Sequence, residues 1–298
     1  MSAKKSLDAL RGEIDAIDEE IHDLLMRRTS VVEKIGAAKG DPESAHRPGR
    51  EALIIRRLMD RHAGAFPKQA LVRVWREILT AFVRLQGPFS VAVHEPEDSC
   101  GFGDLARSHY GSQTPVTAHS SAPRVIDEVM RGRATVGVLP IPVRDDTQPW
   151  WPHLMSGEPA APLVIARLPF AGPDNCRAED PGALVISRVA PEETGRDRSL
   201  LALDADEDFS LASLGPALAE CSLPVVFTAM WDDKETRGTR LYLAEVDNFI
   251  AATDDRRVKL FMDSTSLPIK RVIVLGSYAV PLTAEELAKA PAKRKRKS

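Results

Sequence analysis

The chain has 298 residues, 43% of them hydrophobic, and a formal net charge of −3 at pH 7. This length favours about two domains, and the composition is typical of a packed, soluble protein. The small net charge provides no general attraction to nucleic acid or to acidic membranes. The three cysteines, Cys100, Cys176 and Cys221, are too far apart for a disulfide framework or a C-x-x-C metal pair.

The N-terminal sequence MSAKKSLDAL has no apolar signal core, and no apolar run approaches the length of a membrane span. We therefore expect a cytoplasmic protein without a membrane segment. The seven histidines show neither H-x-x-x-H nor H-E-x-x-H spacing, so the sequence predicts no zinc site.

A single long helix is predicted over residues 6–39. Its apolar residues recur every three or four positions from Leu7 to Ile35, which is the helical period. Ser6 is a suitable N-cap, and the Gly-Asp-Pro sequence at 40–42 ends the helix. At 1.5 Å per residue the helix is roughly 50 Å long, and it cannot bury its apolar stripe alone.

Two further helices are predicted at about 49–62 and 68–86, with Pro48 and Pro67 at their starts. Gly87 and Pro88 end the second of them. Residues 1–88 thus form a three-helix domain, and the length of the first helix predicts an intertwined oligomer.

Strands and helices alternate after residue 88, which predicts an α/β domain over 89–198. Over residues 199–277 the predicted order is βαββαβ, that of a small ferredoxin-like sandwich within a domain at 199–284. Residues 285–298 end in AKRKRKS and are predicted to be a disordered, solvated tail.

Two cations of the first helix point in the same direction. Arg28 and Lys39 are eleven residues apart, so at about 100° per residue they differ by only about 20°. Arg11 is rotated by roughly 100° from Arg28 and lies roughly 25 Å away along the axis. If Arg11 serves the same site, it must come from another copy of the helix.

The second helix adds Arg50 and Glu51 in its first turn, and the third adds Gln86 at its end. Three cations, one carboxylate and one amide suit a small dianion that also carries a hydroxyl and an ether. The alternative is an ordinary solvated face, since Arg and Lys on helices are usually exposed.

The stretches LDALRGEIDAIDEEIHDLLMRRTSVVEKIGAAKG, RPGREALIIRRL and VWREILTAFVRLQGPF resemble the all-helical (AroQ-type) chorismate mutases over residues 5–88. The resemblance implies a homodimer through these helices, no cofactor, and the rearrangement of chorismate to prephenate. It also implies that Arg28 binds one substrate carboxylate and that Arg11 of the partner chain binds the other. This sequence departs from the family pattern at Arg47, often an aspartate, and at Phe82, in places a serine.

The resemblance assigns four more site residues. Lys39 and Gln86 would hydrogen-bond the ether oxygen as its C–O bond breaks. Glu51 would hold the ring hydroxyl, and Arg50 would support it. Arg28, Lys39, Glu51 and Gln86 are the predicted catalytic residues, and Arg11 and Arg50 complete the predicted substrate-binding set.

Residues 89–198 resemble a shortened prephenate dehydratase, in VAVHEPEDSCGFGDLARSHYG and RVIDEVMRGRATVGVLPIP. Pro181, Gly182 and Ala183 stand where that family has its Thr-Arg-Phe signature. The polar turn that the family has after its proline is here the sequence Ile-Pro-Val at 141–143. The region is therefore predicted to be non-catalytic.

Residues 199–284 resemble an ACT regulatory domain, best in TRLYLAEVDNFIAATDDRRVKLF and IKRVIVLGSYAVPL. The family's Glu-Ser-Arg-Pro motif is missing near FTAMWDD. An aromatic amino-acid effector and simple assembly without a ligand both remain open.

The leading interpretation is a chorismate mutase fused to degenerate dehydratase-like and ACT-like regions. One alternative is a bifunctional enzyme that also dehydrates prephenate, and another is a non-catalytic sensor of chorismate or an aromatic amino acid. A nucleic-acid binder is the weakest alternative, because only the tail is basic.

Overall fold

The computed structural model describes residues 6–39, 45–96, 101–144, 146–156, 158, 161–172, 182–206, 209–232, 239–264 and 267–288. Its helices are α1 (Leu7–Lys39), α2 (Pro48–Arg61), α3 (Lys68–Gln86), α4 (Phe102–Tyr110), α5 (Ala122–Met130), α6 (Leu211–Glu220), α7 (Arg256–Ser264) and α8 (Ala284–Ala288). Its strands are β1 (Val91–His94), β2 (Val116–His119), β3 (Val136–Pro140), β4 (Leu163–Leu168), β5 (Ala183–Ser187), β6 (Asp197–Asp206), β7 (Val225–Trp231), β8 (Thr239–Val246) and β9 (Ile269–Ala279).

The three predicted N-terminal helices are confirmed, with ends within one residue of the predicted ones. The Ser6 hydroxyl accepts a hydrogen bond from the Ala9 amide at 3.2 Å, so it caps α1 as predicted. Pro48 is the first residue of α2, and α3 stops before Gly87. Local capping and proline signals therefore determine these boundaries.

Helix α1 leaves its apolar stripe uncovered in the single chain. It packs against α3, yet Leu7, Ile14 and Leu24 are 63%, 58% and 61% exposed. An apolar stripe of this length on a soluble protein is typical of an interface.

The strands form one mixed sheet in the order β2-β1-β3-β5-β4-β9-β6-β8-β7. The pairs β1–β2, β1–β3 and β4–β9 are parallel, and the other pairs are antiparallel. The predicted βαββαβ order is confirmed as β6-α6-β7-β8-α7-β9. Strand β2, helix α8 and a short 3₁₀ helix at Trp151–Leu154 were not predicted from the sequence.

The two regions predicted on either side of residue 198 share this sheet. They meet where β4 pairs with β9, with Val164 opposite Gly276. Gly276 has a φ of +131°, and a side-chain carbon there would overlap the Val164 backbone. Glycine is required at this contact because any other residue would push the two strands apart.

Helices α2 and α3 pack onto the α/β region through an apolar cluster. The cluster joins two sets of buried residues: Ala52, Ile55, Met59, Val72 and Leu79 from the helices, and Phe170, Ala279, Leu282 and Leu287 from the α/β region. Arg56 adds hydrogen bonds to the Thr194 hydroxyl at 2.8 Å and the Val280 carbonyl at 2.7 Å. The helical region is thus docked on the sheet.

Helix α8 corrects the prediction of a disordered tail from residue 285. Leu287 is 8% exposed and belongs to the apolar cluster, so burial of this leucine orders the segment as far as residue 288. The basic residues at 289–298 lie outside the described residues.

Candidate active site

A cavity of about 410 Å³ opens between α1, α2 and α3. Four of the six predicted site residues line it: Arg28, Arg50, Glu51 and Gln86. The other lining residues are Val31, Val32, Ile35, Ala45, Arg47, Ile54, Leu79, Phe82 and Val83. Charged and amide groups set in an apolar wall are typical of a small-molecule site of this size.

Arg28 lies on the wall of the cavity with an unsatisfied donor. Its guanidinium carbon is 4.1 Å from the centroid of the Phe82 ring, a cation–π contact. Its Nη1 atom is buried and has no hydrogen-bond partner among the described residues. Burial lowers the pKa of Arg28, and repulsion from Arg50 lowers it further. An anion in the cavity would offset both effects by attracting the guanidinium.

Glu51 is buried and paired with Arg76, which is not among the predicted site residues. Arg76 Nη1 on α3 donates to Glu51 Oε2 at 2.9 Å, and Arg76 and Glu51 are 5% and 8% exposed. Burial raises the pKa of the Glu51 carboxyl, while the charge and hydrogen bond of Arg76 lower it. Arg76 therefore favours the ionised carboxylate at a position where burial opposes it.

Gln86 lies between the end of α3 and α1. Its Nε2 donates to the Phe82 carbonyl at 2.9 Å, and its Cγ would be 3.4 Å from a side-chain carbon at Gly36. An amide nitrogen carries two donors, so Gln86 can keep this bond and still donate to a ligand.

The other two predicted residues are placed differently. Lys39 is the last residue of α1, and its side chain lies outside the described residues. Arg11 does not line the cavity: its side chain is 66% exposed, and its Nη1 is 3.2 Å from Asp8 Oδ1. The helical geometry predicts this separation for an Arg11 of the same chain.

Both departures from the family pattern have defined contacts. Phe82 is 7% exposed and forms the surface on which Arg28 lies. Arg47 Nε donates to Glu192 Oε1 at 2.7 Å. Glu192 is 145 positions away in the chain, so no local pattern could have identified this contact.

The positions of the dehydratase signature carry no polar side chain where they are described. Gly182 is close to Ile141, and Ala183 is buried at the start of β5, while Pro181 lies outside the described residues. A cavity of about 700 Å³ remains at the carboxyl ends of β1 and β2, with His94, Ser120 and Trp231 in its wall.

Within the described part of the chain, no group of three or more His, Cys, Asp or Glu residues is arranged to hold a metal. No helix described by the structure combines the length and the apolar character that crossing a membrane requires.

Residues 10–87 match the family described as "Chorismate mutase type II". The helices that form the cavity are therefore a chorismate mutase type II domain.

Relatives extend the similarity beyond these helices. The bifunctional chorismate mutase/prephenate dehydratase of Aquifex aeolicus is 34% identical over 142 residues, which is 46% of this chain and 39% of that protein. The protein of the same name from Stutzerimonas stutzeri is 29% identical over 147 residues, 47% of this chain and 40% of that protein. The match thus spans well under half the length of these curated relatives.

Solved structures of prephenate dehydratases also align with the chain. The enzyme from Streptococcus mutans aligns with a TM-score of 0.45 and 16% identity over 65% of this chain and 98% of its own. The enzyme from Arthrobacter aurescens, in complex with L-Phe, aligns with a TM-score of 0.47 and 14% identity over 70% of this chain and 94% of its own.

Proposed function

We propose that the helical region is a chorismate mutase, an isomerase of aromatic amino-acid biosynthesis that converts chorismate to prephenate. The observation that carries the proposal is the cavity in which Arg28, Arg50, Glu51 and Gln86 converge, with Arg28 Nη1 buried and unsatisfied. The similarity of residues 10–87 to the mutase family supports the same assignment.

The arrangement suits a substrate with two carboxylates. A guanidinium can bind a carboxylate through two parallel hydrogen bonds, and Arg28 has the unsatisfied donor for this. The rearrangement is unimolecular and needs no cofactor or covalent enzyme intermediate. Much of the catalysis is then the fixing of the compact conformer in which the reacting carbons meet.

The other part of the catalysis is stabilisation of the ether oxygen, which gains negative charge as the C–O bond breaks. Lys39 would donate to it as a cation, and Gln86 would donate as a neutral amide. Because Arg76 occupies Glu51 Oε2, Glu51 Oε1 is the atom that would accept the ring hydroxyl. Arg50 would add positive charge beside it.

We further propose that a second copy of the chain completes the site. The exposed stripe of α1 supplies the dimer interface, and Arg11 of the partner chain would reach the second carboxylate. Mixing Arg11→Ala with Arg28→Ala protein tests this, because one of the two sites in a mixed dimer would contain both arginines. Recovery of up to about one quarter of the wild-type rate after co-refolding is the expected result. No recovery, with mixed dimers verified by mass spectrometry, would reject the shared site.

For the rest of the chain we propose a dehydratase-like region at 89–198 without dehydratase activity and an ACT-like region at 199–284. Gly182 and Ala183 support the first part, because neither side chain can donate a proton or hold a carboxylate. The βαββαβ order supports the second part. The ACT-like region has two candidate roles. One is the binding of an aromatic amino-acid effector, and the other is assembly of the protein without a ligand.

The decrease of chorismate absorbance tests the mutase proposal. Wild-type protein should accelerate the decrease far above the rate in buffer, and Arg28→Ala should lower kcat/KM by at least tenfold. Arg27→Ala is the matched control, because Arg27 is an exposed neighbour that does not line the cavity. Chorismate that binds, by calorimetry, without turnover would support the sensor alternative and reject the enzyme.

A further inference from the structure

The first turn of α2 is held by a residue of the α/β region. Glu192 lies in the segment 188–196 that connects β5 to β6. Its carboxylate pairs with the Arg47 guanidinium, and its Oε2 accepts a hydrogen bond from the Arg50 backbone N–H at 3.2 Å. One side chain thus contacts α2 on both sides of its start.

Glu192 acts on α2 as a cap supplied from elsewhere in the chain. Arg47, the N-cap residue, makes no side-chain capping hydrogen bond. The first backbone N–H groups of a helix have no partner within the helix, and the helix dipole favours an anion there. Glu192 meets both needs, since it accepts from one of these N–H groups and carries negative charge.

The fit between the two segments is close. A side-chain carbon at Gly49 would be 2.8 Å from both the Cβ and the carbonyl oxygen of Glu192, which is closer than such atoms can approach. The absence of a side chain at Gly49 therefore allows α2 to pack directly against the segment 188–196. Two turns further along α2, Arg56 donates to Thr194 and to the Arg196 carbonyl of the same connection.

The same turn of α2 carries Arg50 and Glu51 into the cavity. We propose that Glu192 is a positioning residue for this site, so that the α/β region, although non-catalytic itself, sets the geometry of the mutase site. This inference rests on the proposed function. It also gives a role to Arg47, which in this chain is the residue that holds Glu192.

A positioning role and a simple charge effect of Glu192 predict different changes in kcat and KM. Glu192 is a negative charge close to a site for a dianion, so its removal would lower KM if only its field mattered. If Glu192 positions Arg50 and Glu51, its removal displaces the groups that orient the substrate. The turnover number should then fall and KM should not improve.

Steady-state kinetics on the full chain with Glu192→Ala, Glu192→Gln and Glu193→Ala tests the proposal. We expect kcat to fall about tenfold in Glu192→Ala, and less in Glu192→Gln, which keeps the shape and one acceptor. Glu193→Ala, at the exposed neighbouring position, should keep the wild-type kcat. Wild-type kcat in Glu192→Ala, a lower KM without loss of kcat, or an equal loss in Glu193→Ala would overturn the proposal.

Amide hydrogen exchange at residues 48–52 provides a readout that does not depend on turnover. Exchange should accelerate in both Glu192 variants and remain at the wild-type rate in Glu193→Ala, because only Glu192 bonds to the Arg50 amide. Unchanged exchange in both Glu192 variants would overturn the proposed contact. If the wild type fails to convert chorismate while exchange responds as expected, the proposed function fails and the contact stands.

Discussion

The helical cavity and the dehydratase-like region differ in the side chains at their predicted functional positions: the cavity has charged side chains, and the dehydratase-like region has glycine and alanine. In the cavity, burial lowers the pKa of Arg28 and raises the pKa of Glu51, so burial disfavours the charged form of both side chains. At the dehydratase signature, Gly182 and Ala183 leave only a packed strand end. The sheet of the dehydratase-like region persists without polar side chains at these positions because it depends on its apolar core.

This difference shows where function constrains the chain. Buried charges cost free energy of folding unless they are paired, so a stable fold alone gives no reason to keep them. Gly182 and Ala183 are compatible with folding, and under the proposed function they carry no dehydratase chemistry. We therefore expect sensitivity to substitution to be concentrated at the cavity and at the contacts that support it.

The largest effect should come from the residue assigned to the ether oxygen. Lys39→Ala should lower kcat about 10³-fold, because a preorganised donor to the developing charge is lost. Arg11→Lys keeps the positive charge and should lower kcat far less. Equal, small losses for the two variants in steady-state kinetics would contradict the assignment.

Loss of the partner of Glu51 should reduce stability. Arg76→Ala would leave a buried carboxylate unpaired, and we expect a decrease of about 3 kcal/mol in the free energy of unfolding. Urea denaturation followed by circular dichroism measures it. Arg73→Ala, at an exposed position of the same helix, should stay within about 0.5 kcal/mol of the wild type. A similar decrease in both variants would show that the ion pair is not the cause.

His46 should make the junction between the two regions sensitive to acid. It is 2% exposed, and burial lowers its pKa from 6.5 to about 3. The unfolded chain binds a proton below about pH 6.5 while the folded chain does not, so stability is lost as the pH falls towards 3. Between pH 7 and pH 5 this histidine should remove about 2 kcal/mol.

Urea midpoints of wild type and His46→Phe at the two pH values isolate this contribution. The variant should lose about 2 kcal/mol less than the wild type between pH 7 and pH 5, since the contributions of the other titratable groups are present in both proteins. His153→Phe, at an exposed position, is the matched control for replacing a histidine with phenylalanine. An unchanged pH dependence in His46→Phe would contradict the neutral, buried histidine.

The smallest effect should come from the ring beneath Arg28. Phe82→Leu removes the cation–π contact and should raise KM about threefold to tenfold with little change in kcat. Phe82→Tyr keeps the ring and should stay near the wild-type KM. If both variants raise KM equally, the ring face does not hold Arg28.

Local patterns predicted the helical region well because its signals are local. Ser6 and the prolines at 48 and 67 give the helix starts, and the apolar period gives the faces. Helical spacing and position selected Arg28, Arg50, Glu51 and Gln86, the resemblance supplied their roles, and all four line the cavity. The roles of these residues remain predictions.

The missed features depend on contacts between distant parts of the chain. Arg76 meets Glu51 across two helices, and Glu192 meets Arg47 from 145 positions away. Strand β2 has only four residues, Val116–His119, and none of them is buried, so its short apolar–polar alternation is a weak signal for a strand. The continuous sheet was missed because the pairing of β4 with β9 has no sequence signature.

Product analysis after incubation with chorismate at neutral pH tests the central claim most directly. The account predicts that prephenate accumulates as chorismate disappears and that phenylpyruvate stays at the level of spontaneous conversion in a protein-free control. Phenylpyruvate formation above that level would contradict the inactive dehydratase-like region. Chorismate that remains unchanged would contradict the mutase site itself.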